Sequence, residues 1–181
     1  MSLRLFLLER HMPGAIRRRM LRELIRVTAD GFRVPLPEIP HGSDEVIGEF
    51  ARFTRELVER VGDDAMGGEA IRDRLFHGAR EMGHRFRRSA GIRTPGEAER
   101  ALRLLYRAIG IELNVDLARG EMTVGRCAFS DVYTPEVCRF ISGLDAGIVD
   151  GIARGTTVVF TERITEGAAC CRATMVRGTL P

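Results

Sequence analysis

Cys138 occupies the position best suited to chemistry. Thr134 and Pro135 read as the N-cap and first residue of a helix, which puts Cys138 in its opening turn. Unpaired backbone N–H groups and the positive end of the helix dipole favour a thiolate there. Asp145 follows seven residues later, about 20° away on the helical wheel. A thiol and a carboxylate on one flank of a helix suit a nucleophile, or a substrate-orienting thiol, with an acid–base partner. Both residues border the apolar stripe of Val137, Ile141, Leu144, Ile148 and Ile152, so a small cysteine packed beside a stripe is the plainer reading.

The other cysteines are Cys127, Cys170 and Cys171, and none precedes residue 127. Reduced thiols are expected, and adjacent Cys170 and Cys171 point to opposite faces of a strand, so a bond between them is not expected. If the C-terminal strands form one sheet with the last helix across it, Cys127, Cys138 and Cys171 approach one another. With Glu162 they offer a donor set of the kind zinc takes, although no C-x-x-C pair is present. His77, Glu81 and His84 line up on one side of a helix, but opposite its apolar stripe, which predicts a solvated polar face. All four histidines (His11, His41, His77, His84) precede the cysteines, so a Cys–His dyad requires contact between the two halves of the chain. Gly143, Gly147 and Gly151 recur every four residues in the last helix. Glycine weakens a helix, so the repeat predicts close approach by another backbone or a ligand, or tight packing on the sheet.

The elements that must position these groups follow from period and punctuation. Residues 1–33 carry an amphipathic helix over about 13–32, a candidate dimerisation element, and the proline-rich stretch 34–42 is an extended connector. Residues 43–110 give a helical layer of three helices, near 43–61, 69–89 and 95–109, with Ser43 and Thr94 as N-caps. From residue 111 the period drops to two. A hairpin turns at Arg119-Gly120, the helix after Pro135 follows, and strands at 156–164 and 170–176 close a β-β-α-β-β unit. The expected fold is therefore α+β, with about four N-terminal helices packed on a C-terminal antiparallel sheet in one domain spanning 1–181.

Composition narrows the partners. The net charge is +3, yet all 28 basic residues are arginine, interleaved with 25 acids, and the sequence has no lysine and no tryptophan. That bias fits a GC-rich genome better than a phosphate-binding surface, and aromatic residues amount to only 6%. Nucleic acid is not an expected partner. No apolar run approaches the ~20 residues of a membrane helix, so a cytoplasmic protein with no membrane partner is expected. A phosphate-binding glycine loop, a G-x-S-x-G elbow and a dinucleotide fingerprint are all missing from the sequence.

Several segments together resemble a known family: Cys127-Ala-Phe, Pro135-Glu-Val-Cys138, Asp145-Ala-Gly147, and Thr161 through Gly167 to Cys171. They resemble the 2-amino-thiazoline-4-carboxylic acid hydrolase-like family and the related 4-vinyl reductase (V4R) small-molecule-binding domains, over about 50–60 residues of the C-terminal third. The resemblance implies a helical layer on an antiparallel sheet, a pocket between them, and a homodimer formed through N-terminal helices. It also implies a zinc held by Cys138, Glu162 and Cys171. The fourth position falls at Thr165, which is not a cysteine, so Cys170 or Cys127 would have to complete the set.

Three functions remain open on the sequence. One is a thiol-centred hydrolase of a small heterocycle or amide, with Cys138 and Asp145 catalytic, Arg139 or Arg172 holding a substrate carboxylate, and Cys127 lining the site. Another is a non-catalytic module that senses a small molecule, with or without zinc. The last is a structural dimeric adaptor.

Overall fold

The computed structural model describes residues 3–177 apart from 11, 41 and 63. It is a mixed α+β arrangement with six α-helices among the described residues, five of them preceding a four-stranded antiparallel sheet. The helices before the sheet are α1 (Leu3–Arg10), α2 (Gly14–Phe32), α3 (Ser43–Val61), α4 (Ala65–Ala90) and α5 (Pro95–Ala108). The remainder runs β1 (Ile111–Asp116), β2 (Glu121–Cys127), α6 (Pro135–Ala153), β3 (Thr156–Glu162) and β4 (Cys171–Arg177), with a short 3-10 turn at Ile164–Glu166. None of the described helices is long and apolar enough to cross a membrane.

Helix ends follow local chemistry. Thr94 caps α5 in a full capping box: its hydroxyl accepts from Glu97 N at 3.3 Å, and the Glu97 carboxylate accepts from Thr94 N at 3.1 Å. Thr134 caps α6, accepting from Val137 N at 3.3 Å, with Pro135 in the first turn. Three boundaries differ from the sequence reading. An additional helix, α1, precedes the expected first one. Helix α3 begins at Ser43 itself, with Gly42 in the cap position. Helix α4 begins before the Gly67-Gly68 pair, because the Asp64 carboxylate accepts from Gly67 N at 3.0 Å and starts the helix there. Gly68 is inside this helix where Phe140 of α6 packs on it.

The sheet order is β1-β2-β4-β3, with every neighbouring pair antiparallel. Its inner face presents Ile111, Leu113, Val115, Met122, Val124, Cys171, Ala173 and Met175, all buried. Helix α6 lies against this unit on one side and against α4 on the other, with α3 and α5 also in contact and α2 beyond α4. The glycine repeat faces α4, and the close approach is therefore to another helix backbone and not to the sheet. A Cβ at Gly147 would lie 2.2 Å from Phe76 O, and one at Gly151 would lie 2.3 Å from Arg80 O. Buried Arg87 of α4 donates from Nη1 to Ile152 O in the last turn of α6, tying the two helices together where unpaired carbonyls collect.

Two bulges decide which side chains point inward. Between β1 and β2 the pairs run Leu113↔Val124 and then Glu112↔Arg126, leaving Gly125 as an extra residue. Between β3 and β4 the pairs run Phe160↔Ala173 and then Glu162↔Arg172, leaving Thr161 extra. Each extra residue reverses the alternation of every residue beyond it.

Candidate functional site

The bulge at Gly125 turns Cys127 inward. Val124 already faces the core, and strict alternation would have sent Cys127 to the opposite face. With Gly125 inserted, Cys127 instead pairs with buried Ile111. Cys171 faces inward from β4, and Cys138 packs against the same core from the opening turn of α6. Cys127 feels the charge of Cys138, Cys171 and Asp145, and Cys171 that of Cys138 and Asp145. No disulfide joins the thiols. Cys127, Cys138 and Cys171 thus all border the same core.

Asp145 is the polar centre of this cluster. Its Oδ1 accepts a 2.7 Å hydrogen bond from the Tyr106 hydroxyl, which reaches across from α5. Burial pushes the Asp145 carboxyl up from 3.8 to about 6, although the Tyr106 bond and the Arg163 charge both act to lower it. Tyr106 is almost wholly buried, and its hydroxyl is held well above the usual phenol range by burial and then by the charge of Asp145. Asp145 as a residue is half-buried.

The surrounding groups are mostly apolar or neutral. Tyr133 stacks on Phe129 with ring centroids 5.4 Å apart, and its hydroxyl shares a 2.5 Å hydrogen bond with the Thr54 hydroxyl of α3. Burial pushes the Cys127 thiol up to about 12, against a hydrogen bond from the Phe129 backbone, and it raises the Cys171 thiol too. Cys171 Sγ accepts from Ile164 N at 3.4 Å. Cys127 should therefore alkylate slowly with iodoacetamide. At pH 8 on the order of 10⁻⁴ of it is thiolate, against about a quarter of an unperturbed thiol. Peptide mapping by mass spectrometry after timed labelling checks this, and Cys127 labelling at the rate of a free thiol would contradict its burial.

Arg163 is the residue that the sequence reading missed. Its side chain is only 12% exposed. Nη1 donates to Ser142 Oγ at 3.0 Å, the guanidinium lies 4.5 Å from the Phe160 ring centroid, and its charge reaches both Asp145 and Cys171. Ser142 in turn donates to Cys138 O at 2.8 Å. Neither arginine named from the sequence is placed here. Arg139 is on the surface, bonded to Glu166 at 2.5 Å and Glu136 at 3.0 Å. Arg172 is on the outer face of the sheet, paired with Glu162 at 3.2 Å. Nothing in the sequence distinguishes Arg163 from its neighbours, because the turn after the Thr161 bulge is what directs it inward.

The same bulge removes Glu162 from the thiols. Without it Glu162 would share the inner face with Phe160; with it, Glu162 stands opposite Arg172 and points outward. Cys138, Glu162 and Cys171 are therefore not brought together as a zinc donor set. Among the described residues no three His, Cys, Asp or Glu side chains form a group able to hold a metal ion. Thr165, at the fourth position of that set, has a buried hydroxyl with no hydrogen-bond partner among the described residues. Cys170 precedes β4 and is half-buried. His77 and Glu81 are exposed and His84 half-buried, in line with a solvated face, whereas His11 and His41 lie outside the described residues. Two clefts, of about 570 Å³ beside Arg103 and Arg107 and about 370 Å³ between α2, α4 and α5, contain none of the cysteines.

No protein-family model matches the sequence, and a search of curated proteins likewise gives no match.

Proposed function

We propose that this chain is a hydrolase of the thiazoline type, on a V4R-like scaffold, which opens a C–N or C–S bond in a small heterocycle or amide. The observation that carries the proposal is the Tyr106–Asp145 hydrogen bond beside the Cys127 and Cys171 thiols, with a cation at Arg163. A buried carboxyl that ionises near pH 6 can take a proton from water or a thiol at neutral pH and return it to a leaving nitrogen. Tyr106 fixes the carboxyl orientation. Cys138, in the opening turn of α6, is the nucleophile or orienting thiol. Arg163, and not Arg139 or Arg172, meets an anionic group of the substrate.

The test is turnover of a panel of thiazolines and small amides by the wild-type chain, Asp145→Asn and Cys138→Ala. Wild-type activity should rise with pH through about 6 and level off above it, following ionisation of Asp145. Asp145→Asn should lose about 100-fold or more, as is typical of a removed acid–base group. Equal activity in all three proteins would end the proposal.

A second reading, a small-molecule binding module, is favoured by the raised Cys127 and Cys171 thiols, which are neutral at physiological pH and suit packing against a ligand. Saturable binding of a panel compound without turnover, weakened by Tyr106→Phe, would select it over the hydrolase.

A further inference from the structure

Helices α2 and α4 meet tightly at one end and part at the other. A Cβ at Gly31 would lie 2.6 Å from Leu75 Cδ2, and one at Gly78 would lie 2.9 Å from Val27 Cγ1. Further along, Glu23 of α2 pairs with Arg85 of α4, so the two helices run antiparallel. Beyond Leu24 and Met82 the facing residues are large, and a cleft of about 370 Å³ opens between the helices and α5. Leu105 and Ile109 of α5, both buried, also line it, and Leu8 of α1 borders it.

The apolar stripes of both helices run on past the point where the chain covers them. On α2, Leu24 and Val27 are buried, but Ile16 and Met20 of the same stripe are only half-buried. On α4, Leu75 and Met82 are buried, whereas Phe86 is half-buried. Protein interiors leave few voids larger than a water molecule. An apolar concavity of several hundred Å³ with a few polar groups is instead the form of a small-molecule site.

The polar groups identify the ligand class. Glu23 is occupied twice, by Arg85 from α4 and by Arg26 at 3.7 Å on its own helix. Arg19, one turn before Glu23, also lines the cleft and makes no ion pair or hydrogen bond among the described residues. An uncompensated positive charge thus stands beside an apolar floor.

We propose that this cleft binds an amphiphilic monocarboxylate, with an aliphatic or aromatic body of roughly eight carbons on Met20, Met82 and Phe86 and its carboxylate on Arg19. Flexible, polarisable methionines adapt to the body, and a guanidinium grips a carboxylate through two parallel hydrogen bonds. None of the cysteines lies here, so the site stands or falls apart from the hydrolase reading. It is also distinct from the pocket between helices and sheet that the family resemblance implies.

Octanoate and the neutral octanol, titrated into the full chain with its methionine methyls labelled with carbon-13, test the site by NMR. The Met20 and Met82 methyl signals, assigned by Met→Leu variants, should shift together and saturably with octanoate, with a Kd below about 1 mM. Octanol should bind at least tenfold more weakly. Arg19 is exposed, so Arg19→Gln should keep the fold while weakening octanoate at least tenfold and leaving octanol unchanged. Absence of a saturable shift at these two methyls would overturn the proposal, as would equal binding of octanoate and octanol. So would shifts of the same methyls with protein concentration alone, which would mean that a second copy fills the cleft.

Discussion

Gly147→Ala is expected to lower the stability of this protein by roughly 2–3 kcal/mol, and its melting temperature by about 5–10 °C. On helix propensity alone the sign would be opposite, since alanine is favoured over glycine by about 1 kcal/mol within a helix. Packing decides against propensity here. The added Cβ would lie 2.2 Å from Phe76 O and 2.9 Å from both Ala79 Cβ and Arg80 N. Two of those atoms belong to the α4 backbone, so no rotamer change relieves the clash and the helices must separate. Gly96→Ala in α5 is the matched control, because nothing lies within 4 Å of its added Cβ. It should be neutral or slightly stabilising. Thermal and urea denaturation of the two variants would show whether the signs differ. A stabilising Gly147→Ala would mean that α4 and α6 are further apart than described.

Asp145 should make the fold less stable as pH rises from about 4 to 6. The folded state holds the Asp145 proton to about pH 6, whereas the unfolded chain releases it near 3.8. Between those values the folded state binds the extra proton, so its stabilising effect is complete below about pH 4 and is lost as pH rises through 6. The two-unit difference sets an upper bound of roughly 3 kcal/mol, and the half-buried setting of the residue reduces it. Asp145→Asn removes the ionisation and can still accept the Tyr106 hydrogen bond. The variant should therefore be more stable than wild type at pH 7.5, by about 1–2 kcal/mol, and equal to it near pH 4. Urea titrations of both proteins at the two pH values isolate this one carboxyl, because the other acids are common to both. Parallel curves for the two proteins would rule out the buried ionisation. Greater stability with lower turnover in the same variant is the trade expected when a strained group is kept for function.

Much of the scaffold is local and was legible in the sequence. Thr94 and Thr134 cap their helices because a hydroxyl next to a proline-led turn satisfies backbone N–H groups within three residues. The Asp116–Gly120 turn forms because the Asp116 carboxylate accepts from Ala118 N and Arg119 N at 3.0 and 2.9 Å, and Gly120 takes a φ of +69°. The start of α4 was misread for the opposite reason. A glycine pair is a local stop signal, but the Asp64 cap before it overrides that signal, and Phe140 packs on Gly68 inside the helix. Pairing Cys138 with Asp145 by helical spacing also rested on a local rule.

By itself, then, the sequence determined which segments from α2 onward are helix or strand and where most of them end. Four things were decided only by tertiary structure. The bulge at Gly125 turned Cys127 inward, and the bulge at Thr161 turned Glu162 outward while Arg163 faced the cluster. The glycine face of α6 was assigned to α4, and Tyr106 was brought to Asp145 across 39 positions of chain. The physical reason is common to all of them. Caps and turns are satisfied within a few residues, so their residue types reveal them. A bulge or a helix contact depends on what the opposing element presents, and a one-residue slip in pairing reverses every side chain beyond it.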